Sequence, residues 1–367
     1  MIDLPREMNA LERILLDRIR TQGPLTIADY MTECLLHPTL GYYTTRDPIG
    51  AAGDFITAPE ISQMFGEMIG LCLAQAWLDQ GAPARFALAE LGPGRGTLMA
   101  DILRVTRKVP GFHEAAQVHL VEASPRMRDR QARTLAGLTP GDRITWHDSA
   151  DALPQMPLYL VANEFFDALP IRQFFRTAEG FSEMVVSTMM NQLVVGLVPA
   201  PGHPVLEARL ADTRENDIVE ICGASPVIAR QIGQRIADHG GVAVIDDYGD
   251  WRSVGDTLQA MGRQKYASPF ENPGEVDLTA HVDFEALLAD IPCAHSRLTT
   301  QGVFLERLGI TSRAQALAER LTGAALDDHI AAHRRLTHPR EMGTLFKVVA
   351  LFPEGAPRPP DWTLEPI

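Results

Sequence analysis

Glu90-Leu-Gly92-Pro-Gly94-Arg-Gly96-Thr97 holds the residue types and spacing most able to do chemistry in this chain. An apolar run from Phe86 leads into it, and a helical pattern opens at Thr97. Glycines on alternate positions reach dihedrals closed to other residues and leave no Cβ between backbone and ligand. The first N–H groups of the following helix lack partners inside it, so they face whatever occupies the turn. The stretch reads as a nucleotide-type turn; taken alone, it also fits an unliganded strand-to-helix connection. Two common nucleotide motifs fail on spacing. The dinucleotide fingerprint needs a third glycine where Thr97 stands, which argues against a dehydrogenase. A phosphate loop needs Gly-Lys-Ser/Thr before its helix, and that pairing is missing.

What remains, Glu-x-Gly-x-Gly-x-Gly, resembles motif I of the class I S-adenosylmethionine (SAM) methyltransferases. One helix later, Val118-His-Leu-Val-Glu122 reads as a second apolar strand closed by an acid. In doubly wound sheets such an acid hydrogen-bonds ribose hydroxyls. Glu122 also fits a bland role, capping the helix that starts at Ser124-Pro125.

The elements around these residues repeat the strand–helix alternation. Strands are predicted at 86–91, 117–122, 143–147 and 157–163, with helices at 97–108 and 125–136, so a parallel sheet covered on both faces is expected. A helix over 224–238 leads into a fifth strand ending in Asp246-Asp247-Tyr248. Beyond it come a helix at 283–290, a strand near 298–304, a helix pair over 311–337 and a last strand at 344–352. The final two strands read as an antiparallel addition. Residues 171–200 look like short antiparallel strands inserted in the core, and 250–282 like an irregular, lid-like insertion. His281 reads as structural, at the opening of a helix. The N-terminal segment is helical (6–20, from Thr26, and 60–78). The expected organisation is a helical region over 1–80, a core over 81–352 and an extended tail over 353–367. Between the early helices, Gly50 to Glu60 is a glycine-rich loop; with Asp54 and Thr57 it either closes over the ligand or simply connects.

With 46% apolar and 22% charged residues among 367, the composition is that of a soluble globular protein. No apolar run reaches the roughly 18 residues a membrane helix needs, so no membrane insertion is expected. A net charge of −14 counts against nucleic acid as partner and is compatible with a basic protein or peptide. Cys34, Cys72, Cys222 and Cys293 are scattered, indicating neither a disulfide scaffold nor a metal site. With no signal-peptide or transit-peptide pattern at the N-terminus, a reducing cytoplasm is the expected compartment.

Five stretches in order, Gly53-Asp-Phe-Ile-Thr-Ala-Pro-Glu-Ile-Ser, Glu90-Leu-Gly-Pro-Gly-Arg-Gly, Val121-Glu-Ala-Ser-Pro, Ala162-Asn-Glu-Phe-Phe-Asp-Ala-Leu-Pro and Asp277-Leu-Thr-Ala-His-Val-Asp-Phe, resemble the MidA family over about residues 10–350. The resemblance implies an α/β class I SAM-methyltransferase (Rossmann-like) fold with a seven-stranded sheet. It also implies SAM as cofactor, and a protein arginine, in a respiratory complex I core subunit, as methyl acceptor. Glu90, Gly92, Gly94 and Gly96 would hold the methionine part of SAM, and Glu122 its ribose. Asp148 would take the adenine amino group, with Asp54, Thr57 and Asn163 also on the cofactor side.

Ligands in open α/β sheets sit beyond the carboxyl ends of the strands. Glu164 and Asp167 after the fourth strand would therefore face Asp246 and Asp247 after the fifth. Paired carboxylates suit a guanidinium, which stays protonated and is gripped bidentately. Tyr248, Phe165 and Phe166 would supply apolar or cation–π walls. Two other readings stay open: a SAM enzyme acting on a small molecule, and a non-catalytic interaction protein that kept the fold.

Overall fold

The computed structural model describes residues 8–45, 56–262 and 265–362. The chain divides into two compact units, Ile56–Asp167, Ser225–Trp251 and Val282–Ile367 in one, and Met1–Phe55, Ala168–Ala224 and Arg252–His281 in the other.

The first unit is built on strands β1 (Phe86–Leu91), β2 (Ala116–Val121), β3 (Ile144–His147), β4 (Leu158–Asn163), β5 (Gly241–Asp250), β6 (Ala294–His295) and β7 (Phe346–Phe352). They lie in the order β3-β2-β1-β4-β5-β7-β6. β1 to β5 are parallel, and β1 and β4 are buried along their whole length because helices cover both faces. β7 runs antiparallel to β5, and β6 antiparallel to β7. That corrects the expectation for the last two strands: two successive reversals leave β6 running with the parallel set.

The strand predicted near 298–304 is also corrected. Only Thr299–Thr300 pairs with β7, and Gln301–Arg307 is helical. The apolar pair Val303-Phe304 suits either period, and a run this short does not separate them.

The helix Gln63–Asp79 is apolar nearly all round because it is buried nearly all round. It belongs to this unit rather than to an N-terminal region ending at residue 80. Gly66 permits its close approach to the helix Thr97–Thr106, since a Cβ there would stand 2.5 Å from Asp101 Cβ. Beneath them, Phe86 meets Phe112 and Tyr159, each with ring centroids 5.0 Å apart.

The tail is not simply extended. Trp362 is fully buried against Phe304 (centroids 5.3 Å) and donates its indole N–H to Arg297 O at 3.2 Å. Trp362→Ala is expected to lower stability by roughly 3–5 kcal/mol. Urea unfolding of the variant tests this, and a loss below about 1 kcal/mol would mean the tail is not part of the core.

The second unit carries the helices Ala10–Gln22 and Ile27–Leu36, whose caps are Asn9 and Thr26 accepting from Glu12 and Asp29 N–H. Its larger sheet joins Leu25–Thr26, Ile171–Thr177, Gly180–Met189, Gln192–Pro199 and Ile218–Cys222, all antiparallel. Residues 250–282 are more regular than expected. Within them, Gln259–Gly262, Lys265–Ala267 and Asp277–Thr279 form a second small sheet. His281 donates its backbone N–H to Thr257 Oγ1 and opens no helix; the next helix starts at Phe284, capped by Asp283. No helix among the described residues is long and apolar enough to cross a membrane.

Candidate active site

β1 hands over to the helix Thr97–Thr106 through Gly92, Gly94 and Gly96, with φ of +59°, +50° and +80°. A Cβ on Gly92 would meet Phe165 Cδ2 at 3.0 Å, so the turn runs bare beneath that ring. The turn is fastened from the next helix, Pro125–Leu135, by a residue the sequence did not single out. Gln131, fully buried, donates its Nε2–H groups to Gly94 O (2.8 Å) and Glu122 Oε2 (3.1 Å), and accepts the Trp146 indole N–H (2.8 Å).

Glu122 follows β2 directly. Its other carboxylate oxygen accepts Ser124 N–H at 2.8 Å, and burial raises its pKa against those bonds. Glu122 thus does cap the following turn, as its bland reading had it, while both oxygens keep acceptor capacity. Asp148 sits after β3, largely exposed, in an ion pair with Arg128, which also donates to Glu122 O.

Glu90 occupies the last turn of β1 with its carboxyl under the new helix. One oxygen accepts Met99 N–H; the other is buried without a hydrogen-bond partner among the described residues. Burial, and then Asp101 nearby, hold its pKa up to about 8; Asp101, likewise buried, is raised to about 7. Between the ordinary carboxylate range and those values the folded chain keeps protons that the unfolded chain has released. Stability is therefore greatest at the acid end of that window and is lost as pH rises to about 8. Melting temperatures of Glu90→Gln, measured without cofactor from pH 5 to 8, should fall less steeply than those of the native protein. Parallel slopes would show that Glu90 is ionised throughout.

β4 and β5 are neighbours, with Asn163 in register with Asp246. Pleating sends alternate side chains to opposite faces. Val242, Val244 and Tyr248 join one core cluster, so Asp246 shares their face and Asp247 takes the other. The expectation that both aspartates face the site is corrected. Asp247 accepts Phe165, Phe166 and Tyr248 N–H at 3.1, 2.7 and 2.9 Å, and so holds the turn after β4. Its pKa is raised to about 7 by burial against those bonds. Asp246 is different: both of its oxygens, and Asn163 Oδ1 beside them, are buried with no hydrogen-bond partner among the described residues. Burial first, then Glu164 and Asp247, push Asp246 well above the carboxylate range.

Glu164 follows β4 at φ +51°, a conformation rare outside glycine and asparagine. It accepts Asn163 Nδ2–H (3.1 Å) and Ala58 N–H (2.9 Å), and burial raises it to about 6. Asp167 is buried beyond the same turn, and half-buried Tyr248 rests on Phe346 with centroids 5.5 Å apart.

The short helix Ala58–Ile61 starts at Thr57, whose hydroxyl makes no cap; Glu164 takes the first N–H instead. Its Glu60 accepts Thr97 Oγ1–H at 2.5 Å and pairs with Arg95 at 3.6 Å, a role with no signal in the sequence. Asp54 lies outside the described residues. No group of three or more metal-ligating side chains is present among those described.

Residues 68–304 match the family described as "Putative S-adenosyl-L-methionine-dependent methyltransferase". The chain belongs to this family.

Relatives extend the match along nearly the whole methyltransferase. A Xenopus laevis protein named protein arginine methyltransferase NDUFAF7, mitochondrial, is 34% identical over 372 residues, covering 95% of this chain and 85% of its own. The Homo sapiens protein of that name is 35% identical over 367 residues, covering 93% and 83%. A Burkholderia thailandensis structure with S-adenosyl-homocysteine bound aligns with a TM-score of 0.84 at 30% identity, covering 97% of this chain and 95% of its own. The methyltransferase has the class I fold and uses SAM. Its residues fit that group: a turn with no Cβ at three alternate positions, an acid closing β2, and a buried Glu90 oxygen with no partner among the described residues. The cytoplasmic expectation is overturned, because these relatives carry a mitochondrial designation.

Proposed function

We propose that this methyltransferase modifies an arginine side chain of a protein. One observation carries the reading: Asn163 Oδ1 and both Asp246 oxygens lie buried, in register on adjacent strands beside Glu164, with no hydrogen-bond partner among the described residues. Unpartnered buried acceptors are costly, and a donor-rich planar cation satisfies several at once. The relatives' name, protein arginine methyltransferase, supports the same class. The MidA resemblance makes a complex I core subunit the first protein to try.

In this reading Glu90 and the glycine turn hold the methionine end of SAM, Glu122 the ribose, and Asp148, on the exposed rim, the adenine amino group. SAM supplies an electrophilic methyl group when bound. Asn163 and Asp246 accept guanidinium N–H groups and hold one nitrogen in line, the positioning that lowers such barriers. Glu164, ionised above about pH 6, balances the cation's charge and takes the proton that the methylated nitrogen releases. Asp247 and Asp167 keep the turn carrying Phe165 and Phe166 in place, and Tyr248 forms a wall.

The test uses purified protein with SAM carrying a labelled methyl group and arginine-bearing peptides, beside the same peptides with lysine substituted. Label on arginine alone is expected. Label on lysine or on small molecules only, or none while S-adenosylhomocysteine still binds, would overturn the reading.

A further inference from the structure

We propose that Gln131 is a positioning residue that fixes the Glu122 carboxylate for the ribose of the cofactor and ties it to the glycine turn. The inference rests on the reading of Glu122 as the ribose ligand and adds the group that aims it. Gln131 is fully buried in the helix Pro125–Leu135, and each of its amide's three bonds goes to a different element. Its N–H groups bond Gly94 O at 2.8 Å and Glu122 Oε2 at 3.1 Å; its oxygen takes the Trp146 N–H at 2.8 Å. The Trp146 bond, from β3, fixes which end of the amide is oxygen, so the donor end must point at the turn and at Glu122. Ser124 N–H holds the other Glu122 oxygen at 2.8 Å, so the carboxylate is pinned at both ends with lone pairs left over. The Gly96 backbone passes so close that a Cβ there would stand 3.4 Å from Gln131 Cα. Gly94, Glu122 and β3 therefore cannot shift independently of Gln131.

A residue that only fills space or holds the turn would affect every ligand alike; one that aims Glu122 has an added effect on the ribose contact. The probes are S-adenosylhomocysteine and its analogue lacking both ribose hydroxyls, each titrated calorimetrically. Native protein should prefer the hydroxylated ligand by at least about a hundredfold, as sites built to bind hydroxyls do. Gln131→Met should cut that preference by roughly tenfold, the worth of a hydrogen bond to a charged group, beyond the weakening that both ligands share through the freed Gly94 carbonyl. Gln131→Glu, nearly isosteric and still able to accept from Trp146, should do the same if the methionine variant folds poorly.

Equal losses for both ligands would make Gln131 a fold residue and overturn the proposal. Glu122→Gln separates the two layers. If it keeps the full preference, the ribose reading itself fails. If it loses the preference while both Gln131 variants keep it, only the positioning role fails.

Discussion

Gly94→Val should abolish measurable S-adenosylhomocysteine binding, a weakening of more than a hundredfold, while the protein stays folded. Gly94 sits at φ +50°, where an L residue pays about 1–2 kcal/mol and a β-branched one more. Its carbonyl is held at 2.8 Å by Gln131, so the turn cannot relax by flipping that peptide without freeing a buried amide. The new isopropyl group would stand in the cradle that the three glycines leave bare. Gly94→Ala, with less bulk and the same φ, should fall between. Calorimetric titration, with NAD as the control ligand and a thermal melt of each variant, measures this. Native-like affinity in a folded valine variant would remove the glycine turn from the cofactor site.

The second large effect is expected on the acceptor side. Asp246→Asn should lower kcat by about a hundredfold to a thousandfold and change S-adenosylhomocysteine affinity by less than about threefold. The asparagine keeps the volume but turns one unpartnered oxygen into a donor, which meets a guanidinium N–H head-on. Glu164→Gln should behave alike and also flatten the pH profile. In the native protein activity should rise as the site loses protons. Burial raises Glu164 to about 6, and burial with the nearby Glu164 charge raises Asp247 to about 7. The Gln variant can still accept Ala58 N–H, so the turn should survive. A full loss of cofactor binding in either variant would place these residues on the cofactor side.

Much of this was open to a reader of the residues. Alternate glycines before a helix mark a tight, open turn, and strands alternating with helices dictate parallel pairing, so β1 to β5 and the helices between them were legible. Other parts were not, for physical reasons. Asp246-Asp247 looks like one acidic pair in a string of letters, but a pleated strand separates neighbours, leaving one without a hydrogen-bond partner among the described residues and giving the other three backbone bonds. Gln131 lies in a helix where glutamine is an ordinary helix former, and its three partners come from three other elements. Glu60 reads as the opening acid of one long helix over 60–78, whereas it lies on a separate short helix, and nothing local shows that it reaches Thr97. The Thr299-to-Phe304 stretch failed because a short apolar run fits both periods. Trp362 stands among prolines that suggest an untethered tail, and its burial depends on Phe304, far back in the chain.

The helix Ala58–Ile61 touches both halves of the chemistry. Its first N–H is held by Glu164, which also takes an Asn163 N–H, while its Glu60 is held by Thr97 and Arg95 at the glycine turn. In the proposed reading, these four residues form one turn of backbone joined to both the cofactor side and the acceptor side. Thermodynamic linkage then constrains the order of events without fixing it. Whatever free energy SAM spends or gains in settling that turn must reappear, equal in size and sign, in the affinity for the acceptor. The affinity of either ligand, measured with the other absent and then saturating, must change by the same factor.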